Sequence, residues 1–203
     1  MSQSFTLLSI FQNSLKIYGA GAKKFYNSDF GRTLDILYIL VYSIGKERKK
    51  GKDRKMRIFF DMDGTFVNLY GIENWLADLQ NEDVRPYRDA KPLINMNVFA
   101  RRLNEMKRHG FEIGVISWTS KNSSEEYAER VTKTKKDWLN KHLKSVEWDT
   151  IKIVPYGTPK ENFMEDETDV LFDDEERNRK NWKGVAYDVN EIFTTLKEIE
   201  KSA

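Results

Sequence analysis

The sequence predicts an α/β fold in which a parallel sheet lies between layers of helices. From residue 56 onward, short apolar runs rich in β-branched and aromatic residues alternate with segments whose apolar residues recur at helical spacing. This alternation is typical of strand–helix–strand units, whose strands run parallel. Several of the apolar runs end directly in Asp or Ser, which places polar side chains at the carboxyl edge of the predicted sheet.

Composition indicates a folded domain with an additional segment. The chain has 203 residues, of which 39% are hydrophobic and 13% aromatic, enough for one domain and an appendage. It contains no cysteine, which excludes disulfides, zinc–thiolate sites and a cysteine nucleophile. Residues 1–55 carry 11 Lys or Arg against 4 Asp or Glu, whereas the remainder carries 23 against 28. Such an asymmetry suggests two parts of different character.

Residues 1–55 have two interpretations. A basic run at 46–55 after apolar segments would suit an arm that binds a membrane surface or nucleic acid. We favour the alternative that a purine-rich ribosome-binding site is translated in frame, that Met56 is the true start, and that residues 1–55 are dispensable for folding and chemistry. The apolar run 34–42 is too short to span a bilayer, and the opening lacks signal-peptide features. We therefore expect a cytoplasmic protein without a membrane span.

The first predicted strand, residues 58–60, ends in two carboxylates. Asp61 and Asp63 follow it directly, and Gly64 relaxes the backbone of the loop beside them. Carboxylates in this position could hold a hard cation such as Mg²⁺, which prefers oxygen ligands. For the Asp pair alone, a turn that merely closes the strand is the simpler interpretation. The full pattern Asp-Met-Asp-Gly-Thr after an apolar strand is more specific.

Residues 66–95 then interrupt the alternation. A long excursion between a strand and the next core helix is usually functional. We predict a small helical cap over the strand ends, with an amphipathic helix at 72–79 and a loop at 85–87. Trp75 and Arg85 are its candidate substrate contacts, and packing within the cap explains Trp75 at least as well.

The second core strand, residues 111–116, is followed by Ser117 and Thr119. Hydroxyls at the carboxyl end of a parallel strand face the crevice where α/β sheets bind ligands, and they suit phosphate oxygens. Ser117 is the preferred candidate for a phosphate contact, and Thr119 is its alternative. Ser123, with Glu126 three residues later, is predicted to cap the next helix.

The third strand, residues 150–155, precedes a loop that carries Lys160. A lone loop lysine is usually exposed to solvent, so its assignment to a site depends on the other motifs. Lys152 and Lys135 are weaker candidates than Lys160 for the lysine of the site. The helix before this strand, residues 123–143, is basic in its second half, and we interpret most of its lysines as its exposed face.

The fourth strand end carries Asp173 and Asp174, directly after the apolar run 170–172. A following helix would favour acids at its N-terminus through its dipole, which accounts for Glu175 and Glu176. It accounts poorly for Asp173, which starts at the very end of the strand. A last short strand and an amphipathic C-terminal helix complete the pattern.

These four strand ends, in this order, resemble the four motifs of the haloacid dehalogenase (HAD) superfamily of phosphotransferases. The resemblance covers residues 56–203 and is greatest to the 5′(3′)-deoxyribonucleotidase-like branch. It implies a three-layer Rossmann-like fold with a small helical cap inserted after the first strand. It also implies a Mg²⁺-dependent phosphomonoesterase, a nucleotidase-like hydrolase that acts on a nucleotide or another small phosphorylated metabolite.

The resemblance further implies a role for each residue. Asp61 would be the nucleophile that forms an aspartyl-phosphate, and Asp63 the general acid and base. Ser117 and Lys160 would bind the phosphoryl oxygens. The residues implied to hold Mg²⁺ or its waters are Asp61, Asp63 through its backbone carbonyl, Asp173 and Asp174, and Asp174 would alternatively hold Lys160.

Two alternatives remain open at the level of sequence. A phosphatase of nucleic-acid 3′ or 5′ ends would use the lysine-rich helix for backbone contacts. A catalytically silent binding module with the same fold is the alternative from another class, although none of the expected acids is missing. The oligomeric state does not follow from the sequence.

Overall fold

The computed structural model describes residues 55–202, so the predictions made for residues 1–54 lie outside the described residues. The strands are β1 (Arg57–Phe60), β2 (Val67–Asn68), β3 (Lys91–Pro92), β4 (Glu112–Trp118), β5 (Thr150–Val154), β6 (Val170–Phe172) and β7 (Val185–Tyr187). The α-helices are α1 (Trp75–Gln80), α2 (Arg85–Asp89), α3 (Met96–Arg108), α4 (Glu125–His142), α5 (Glu176–Asn181) and α6 (Ile192–Ser202). Among residues 55–202, none of the helices has the length and hydropathy needed to cross a bilayer.

Five of the strands form one parallel sheet in the order β5-β4-β1-β6-β7. The predicted α/β fold with a parallel sheet is therefore confirmed. The first strand lies at the centre, because β4 pairs with it on one side and β6 on the other. This order brings the carboxyl ends of β1, β4 and β6 side by side, which is where ligands bind in such sheets.

The two faces of the sheet are covered unequally. Side chains alternate along β1, so Ile58 and Phe60 belong to one apolar cluster and Phe59 to another. The larger cluster is completed by residues of the long helices α3, α4 and α6. The smaller one is closed mainly by Trp182, whose ring meets that of Phe59 edge to face at 6.0 Å. Layers on both faces were expected, but the second layer consists of short segments.

The cap segment, residues 66–95, contains the antiparallel pair β2–β3 and the helices α1 and α2. The expected helix is confirmed over Trp75–Gln80, but the expected loop at 85–87 is wrong because those residues begin α2. Pro86 lies in the first turn of α2, where its missing N–H costs nothing and its fixed φ suits the helix. The cap therefore has two short helices rather than one.

Two further boundaries differ from expectation. Strand β4 continues through Ser117 to Trp118, so Ser117 lies within the strand. Helix α4 is capped by Ser124, whose side chain accepts a hydrogen bond from the N–H of Tyr127 at 3.2 Å. Ser123, the predicted cap, instead donates its hydroxyl to the carbonyl of Ser120 at 2.6 Å. A serine caps this helix as predicted, but it is Ser124 and not Ser123.

Candidate active site

The central strand brings the first pair of predicted acids next to the last. The N–H of Asp61 donates to the carbonyl of Phe172, the last residue of β6, at 2.9 Å. Asp173 follows Phe172 directly, so the ends of β1 and β6 place Asp61 and Asp173 as neighbours although they are distant in sequence. Parallel pairing is thus the reason why the two acidic motifs meet.

Asp61, Asp173 and Asp174 form an acidic triad. One carboxylate oxygen from each lies within 4.8 Å of the others, and Asp61 and Asp173 are buried. Burial, and then the charges of Asp61 and Asp173, raise the pKa of Asp174 from its usual 3.8 to about 7. Three converging oxygen donors with excess negative charge fit a hard divalent cation such as Mg²⁺.

Lys160 supplies a positive charge to this triad. It begins a 3₁₀ turn after β5, and only 1% of its side chain is exposed. Its Nζ lies 2.9 Å from Asp61 Oδ1 and 2.7 Å from Asp173 Oδ2. Burial lowers the pKa of Lys160, but the two carboxylates outweigh it and raise that pKa above its usual value. Lys160 is therefore a charged lysine held within the site.

The carboxylate of Asp173 is held on both oxygens. Oδ1 accepts the N–H of Glu175 at 2.9 Å, and Oδ2 accepts the ammonium of Lys160 at 2.7 Å. The amide of Asn178 donates to both oxygens, at 3.2 and 3.1 Å. Asn178 is buried, and the sequence analysis missed it because a polar residue in a short helix gives no periodic signal. The structure places Lys160 on Asp173 rather than on Asp174.

Gly64 allows Asp174 to approach the loop that follows β1 and carries Asp61 and Asp63. Its φ of +76° lies in the left-handed region, which other residues rarely adopt. A Cβ at this position would overlap Asp174 Oδ2. Glycine is therefore required here both for the backbone conformation and for the space that Asp174 occupies.

Asp63 lies outside the acidic triad and is paired with a different lysine. The Nζ of Lys135 lies 2.5 Å from Asp63 Oδ2, 2.9 Å from Ser117 Oγ and 2.7 Å from the carbonyl oxygen of Trp118. Burial raises the pKa of Asp63, Lys135 lowers it and Asp61 raises it, and the result is a pKa above 3.8. A metal contact from Asp63 would have to come from its backbone carbonyl.

Helix α4 carries one lysine, Lys135, whose side chain is buried. Its other lysines are exposed as expected, but only 1% of the Lys135 side chain is exposed. Tyr127, Val131, Lys135 and Leu139 follow at intervals of four and are all buried, so they share one inward face. This spacing is the signal that could have identified Lys135. Lys152, the other alternative, is exposed on the edge strand β5.

Ser117 and Thr119 are separated by the structure. Ser117 is fully buried, and its Oγ accepts the ammonium of Lys135, which also holds Asp63. Thr119 lines an open groove of about 620 Å³ between α4 and β5. Of the two predicted hydroxyls, Ser117 is the one that the structure brings together with the acids and lysines.

The predicted cap contacts are engaged mainly within the cap segment. Arg85 pairs with Asp78 and donates to the carbonyl of Glu73 at 2.7 Å. The Trp75 ring meets the ring of Tyr70 edge to face at 5.0 Å. Tyr70 is the nearer to the site, because its Cε2 is 3.0 Å from the position of a Cβ on Gly64.

No family model and no curated protein matches the chain. The fold and the site therefore define the class of protein by themselves. It is a parallel α/β protein with an acidic triad and two buried lysines at the carboxyl ends of its central strands.

Proposed function

We propose that the chain is a Mg²⁺-dependent phosphomonoesterase that acts through a phosphorylated Asp61. The observation that supports this most directly is the position of the Asp61 carboxylate, which belongs to the acidic triad and lies 2.9 Å from the ammonium of Lys160. A carboxylate nucleophile needs positive charge nearby, here from Lys160 and from a cation held by the triad, because its attack on an anionic phosphate is otherwise opposed by charge repulsion.

In the first step, a carboxylate oxygen of Asp61 bonds to phosphorus while the bond from phosphorus to the leaving oxygen breaks. Asp63 gives its proton to that leaving oxygen. In the second step, water attacks the phosphorus of the aspartyl-phosphate, Asp63 takes the water's proton, and inorganic phosphate leaves with Asp61 restored. Bound Mg²⁺ would offset the charge between nucleophile and phosphate, and Asp61, Asp173 and Asp174 are the residues that would hold it.

Lys160 and Ser117 would stabilise the phosphoryl oxygens as they gain charge. Lys160 has two of its three N–H donors on Asp61 and Asp173, which leaves one for a phosphoryl oxygen. Ser117 accepts a hydrogen bond through its Oγ, so its own hydroxyl proton remains available to donate. Preorganised donors of this kind contribute about 10²–10³-fold each in rate.

For the substrate, we favour a nucleotide or another small phosphorylated metabolite. The ring of Tyr70 lies beside Gly64, in the loop that carries Asp61 and Asp63, and 49% of the residue is exposed. An exposed aromatic ring at the mouth of the site offers a stacking surface for the base of a nucleoside leaving group.

The proposal is tested by phosphate release from 5′- and 3′-nucleoside monophosphates, sugar phosphates and 3′-phosphorylated oligonucleotides. We expect release from the small substrates in Mg²⁺, none in EDTA, and a loss of at least about 10³-fold in the Asp61→Asn variant. Asp137→Asn, which changes an exposed acid of α4, is the matched control and should retain activity. Absence of release by folded, Mg²⁺-loaded protein across the panel would overturn the proposal, and preference for oligonucleotide ends would redirect it to nucleic-acid repair.

A further inference from the structure

Lys135 has a place in the site that the proposed roles of Lys160 and Ser117 do not explain. We infer that Lys135 is a positioning residue that fixes one oxygen of Asp63, so that the other oxygen, Oδ1, carries the proton to and from the substrate. This inference rests on the proposed function, because it assigns a device to the same reaction. Three groups support it, namely the ammonium of Lys135, the carboxylate of Asp63 and the residues that surround Lys135.

The first group is the ammonium of Lys135, which has no donor to spare. A lysine ammonium has three N–H donors and no acceptor. In this structure they have three acceptors within hydrogen-bond distance, namely Asp63 Oδ2, Ser117 Oγ and the carbonyl oxygen of Trp118. Among residues 55–202, Lys160 has two such partners, Asp61 and Asp173. The two buried lysines therefore differ in kind, since Lys160 can reach a phosphoryl oxygen and Lys135 is fully used by the protein.

The second group is the carboxylate of Asp63, whose two oxygens have different surroundings. Oδ2 is 2.5 Å from the Lys135 ammonium. Oδ1 is buried, and among residues 55–202 it has no hydrogen-bond partner. A buried carboxylate oxygen without a partner costs free energy unless another molecule supplies one. A leaving-group oxygen or an attacking water would be that partner, so Oδ1 is the atom for proton transfer.

The third group is the surroundings that hold Lys135 itself. Its ammonium lies 4.9 Å from the ring centroid of Tyr87, a buried residue of α2 in the cap segment. An ammonium at this distance from an aromatic face is attracted by the ring. Lys135 thus contacts the cap segment, the end of β4 and the loop that carries Asp61 and Asp63, and its position depends on all three. This arrangement favours a fixed orientation of Asp63 over a mobile one.

The test compares two substrates that differ in their need for an acid. An alkyl phosphate has a poor leaving group that must be protonated as it departs, whereas p-nitrophenyl phosphate releases a stable phenolate that needs little help. Steady-state kcat/KM reports the steps up to leaving-group departure, so it is not affected by later hydrolysis of the aspartyl-phosphate. For Lys135→Met, we expect a loss of about 100-fold in kcat/KM with the alkyl phosphate and less than about 5-fold with the aryl phosphate.

A double-mutant cycle separates positioning from a merely structural role. If Lys135 acts through Asp63, adding Lys135→Met to Asp63→Asn causes little further loss with the alkyl phosphate. Equal losses with both substrates, or fully additive losses in the cycle, would overturn the inference. The exposed neighbour Lys136 provides the control, and Lys136→Met should match the wild type with both substrates.

Two further results need separate interpretation: a Lys135→Met variant that does not fold, and a wild type that is inactive with both substrates. If Lys135→Met does not fold, as judged by circular dichroism, Lys135→Gln replaces it, because the amide keeps two donors for the surrounding oxygens. The same difference between the two substrates is then expected, and its absence counts against the inference. A wild-type protein that releases no phosphate from either substrate would instead overturn the proposed function.

Discussion

Replacing Asp174 with asparagine removes one of the three carboxylates that face one another in the acidic triad. We expect this change to stabilise the protein in the absence of metal, although it removes a candidate metal ligand. The reason is that Asp174 is half-buried beside Asp61 and Asp173, and its ionised form is unfavourable there. The amide is nearly isosteric and carries no charge.

The magnitude follows from the raised pKa of Asp174. A change from 3.8 to about 7 corresponds to about 4 kcal/mol at 1.36 kcal/mol per pH unit. Because the carboxylate is partly exposed and therefore screened by solvent, we expect about 2 kcal/mol. The folded state keeps a proton between about pH 4 and 7 that the unfolded state has lost, so wild-type stability falls as pH rises through this window. The advantage of Asp174→Asn should appear in the same window.

The assay is urea unfolding of both proteins in EDTA at about pH 4 and about pH 8, followed by the same measurement in Mg²⁺. In EDTA, we expect the wild type and Asp174→Asn to be equally stable at the lower pH and the variant to be more stable at the higher pH. In Mg²⁺ at the higher pH, we expect the wild type to be the more stable of the two. Magnesium at about 100 times its Kd would stabilise the wild type by about 2.7 kcal/mol and the variant by less. Asp137→Asn is the control for loss of an exposed acid.

Two results would refute this reasoning. A variant less stable than the wild type in EDTA at the higher pH would show that Asp174 contributes favourable contacts instead of repulsion. A stability difference that does not change with pH would show that its charge is not the cause.

Further substitutions test the glycine beside the site, an ion pair at the opposite edge of the sheet and the cap of α4. Gly64→Ala should cost at least about 1–2 kcal/mol in urea unfolding from its left-handed backbone alone, and should weaken Mg²⁺-dependent activity by displacing Asp174; unchanged activity would contradict this. Burial raises the pKa of Asp149, but its lysine partner and a backbone N–H outweigh burial and lower that pKa. Asp149→Asn should therefore destabilise the protein at neutral pH, and this difference should shrink as the pH falls through the lowered pKa of Asp149, as followed by thermal unfolding. Ser124→Ala should cost about 1 kcal/mol of stability and Ser123→Ala less, and the opposite order would argue against the observed cap of α4.

The positions of the core strands along the chain and of the acids that follow them could be predicted because they depend on local patterns. Apolar runs such as the one before Asp61 are recognisable by length and composition, and the acids follow them directly. The loop predicted at 85–87 is wrong because Pro86 lies in the first turn of a helix, a position that proline tolerates. Local rules thus fail where one residue type is compatible with two structures.

The parts of the site that could not be predicted depend on tertiary contacts. From the sequence, Lys135 is a weaker candidate than Lys160, and most lysines of α4 are expected on its exposed face. The intervals of four placed it on the buried face, but the acceptors that make burial tolerable belong to two other elements. Asn178 had no comparable signal, since its only role in the site is to hold Asp173.

The central position of β1 has a consequence for synthesis of the chain. Of the described strands, β1 leaves the ribosome first, yet one of its neighbours is β6, which follows much later. The ion pair of Arg57 with Asp169, which joins residues 112 positions apart, forms only after β6 has emerged. Until then, one edge of an apolar strand has no partner and is open to incorrect pairing. A chain truncated before β6 should therefore aggregate instead of forming a smaller folded domain.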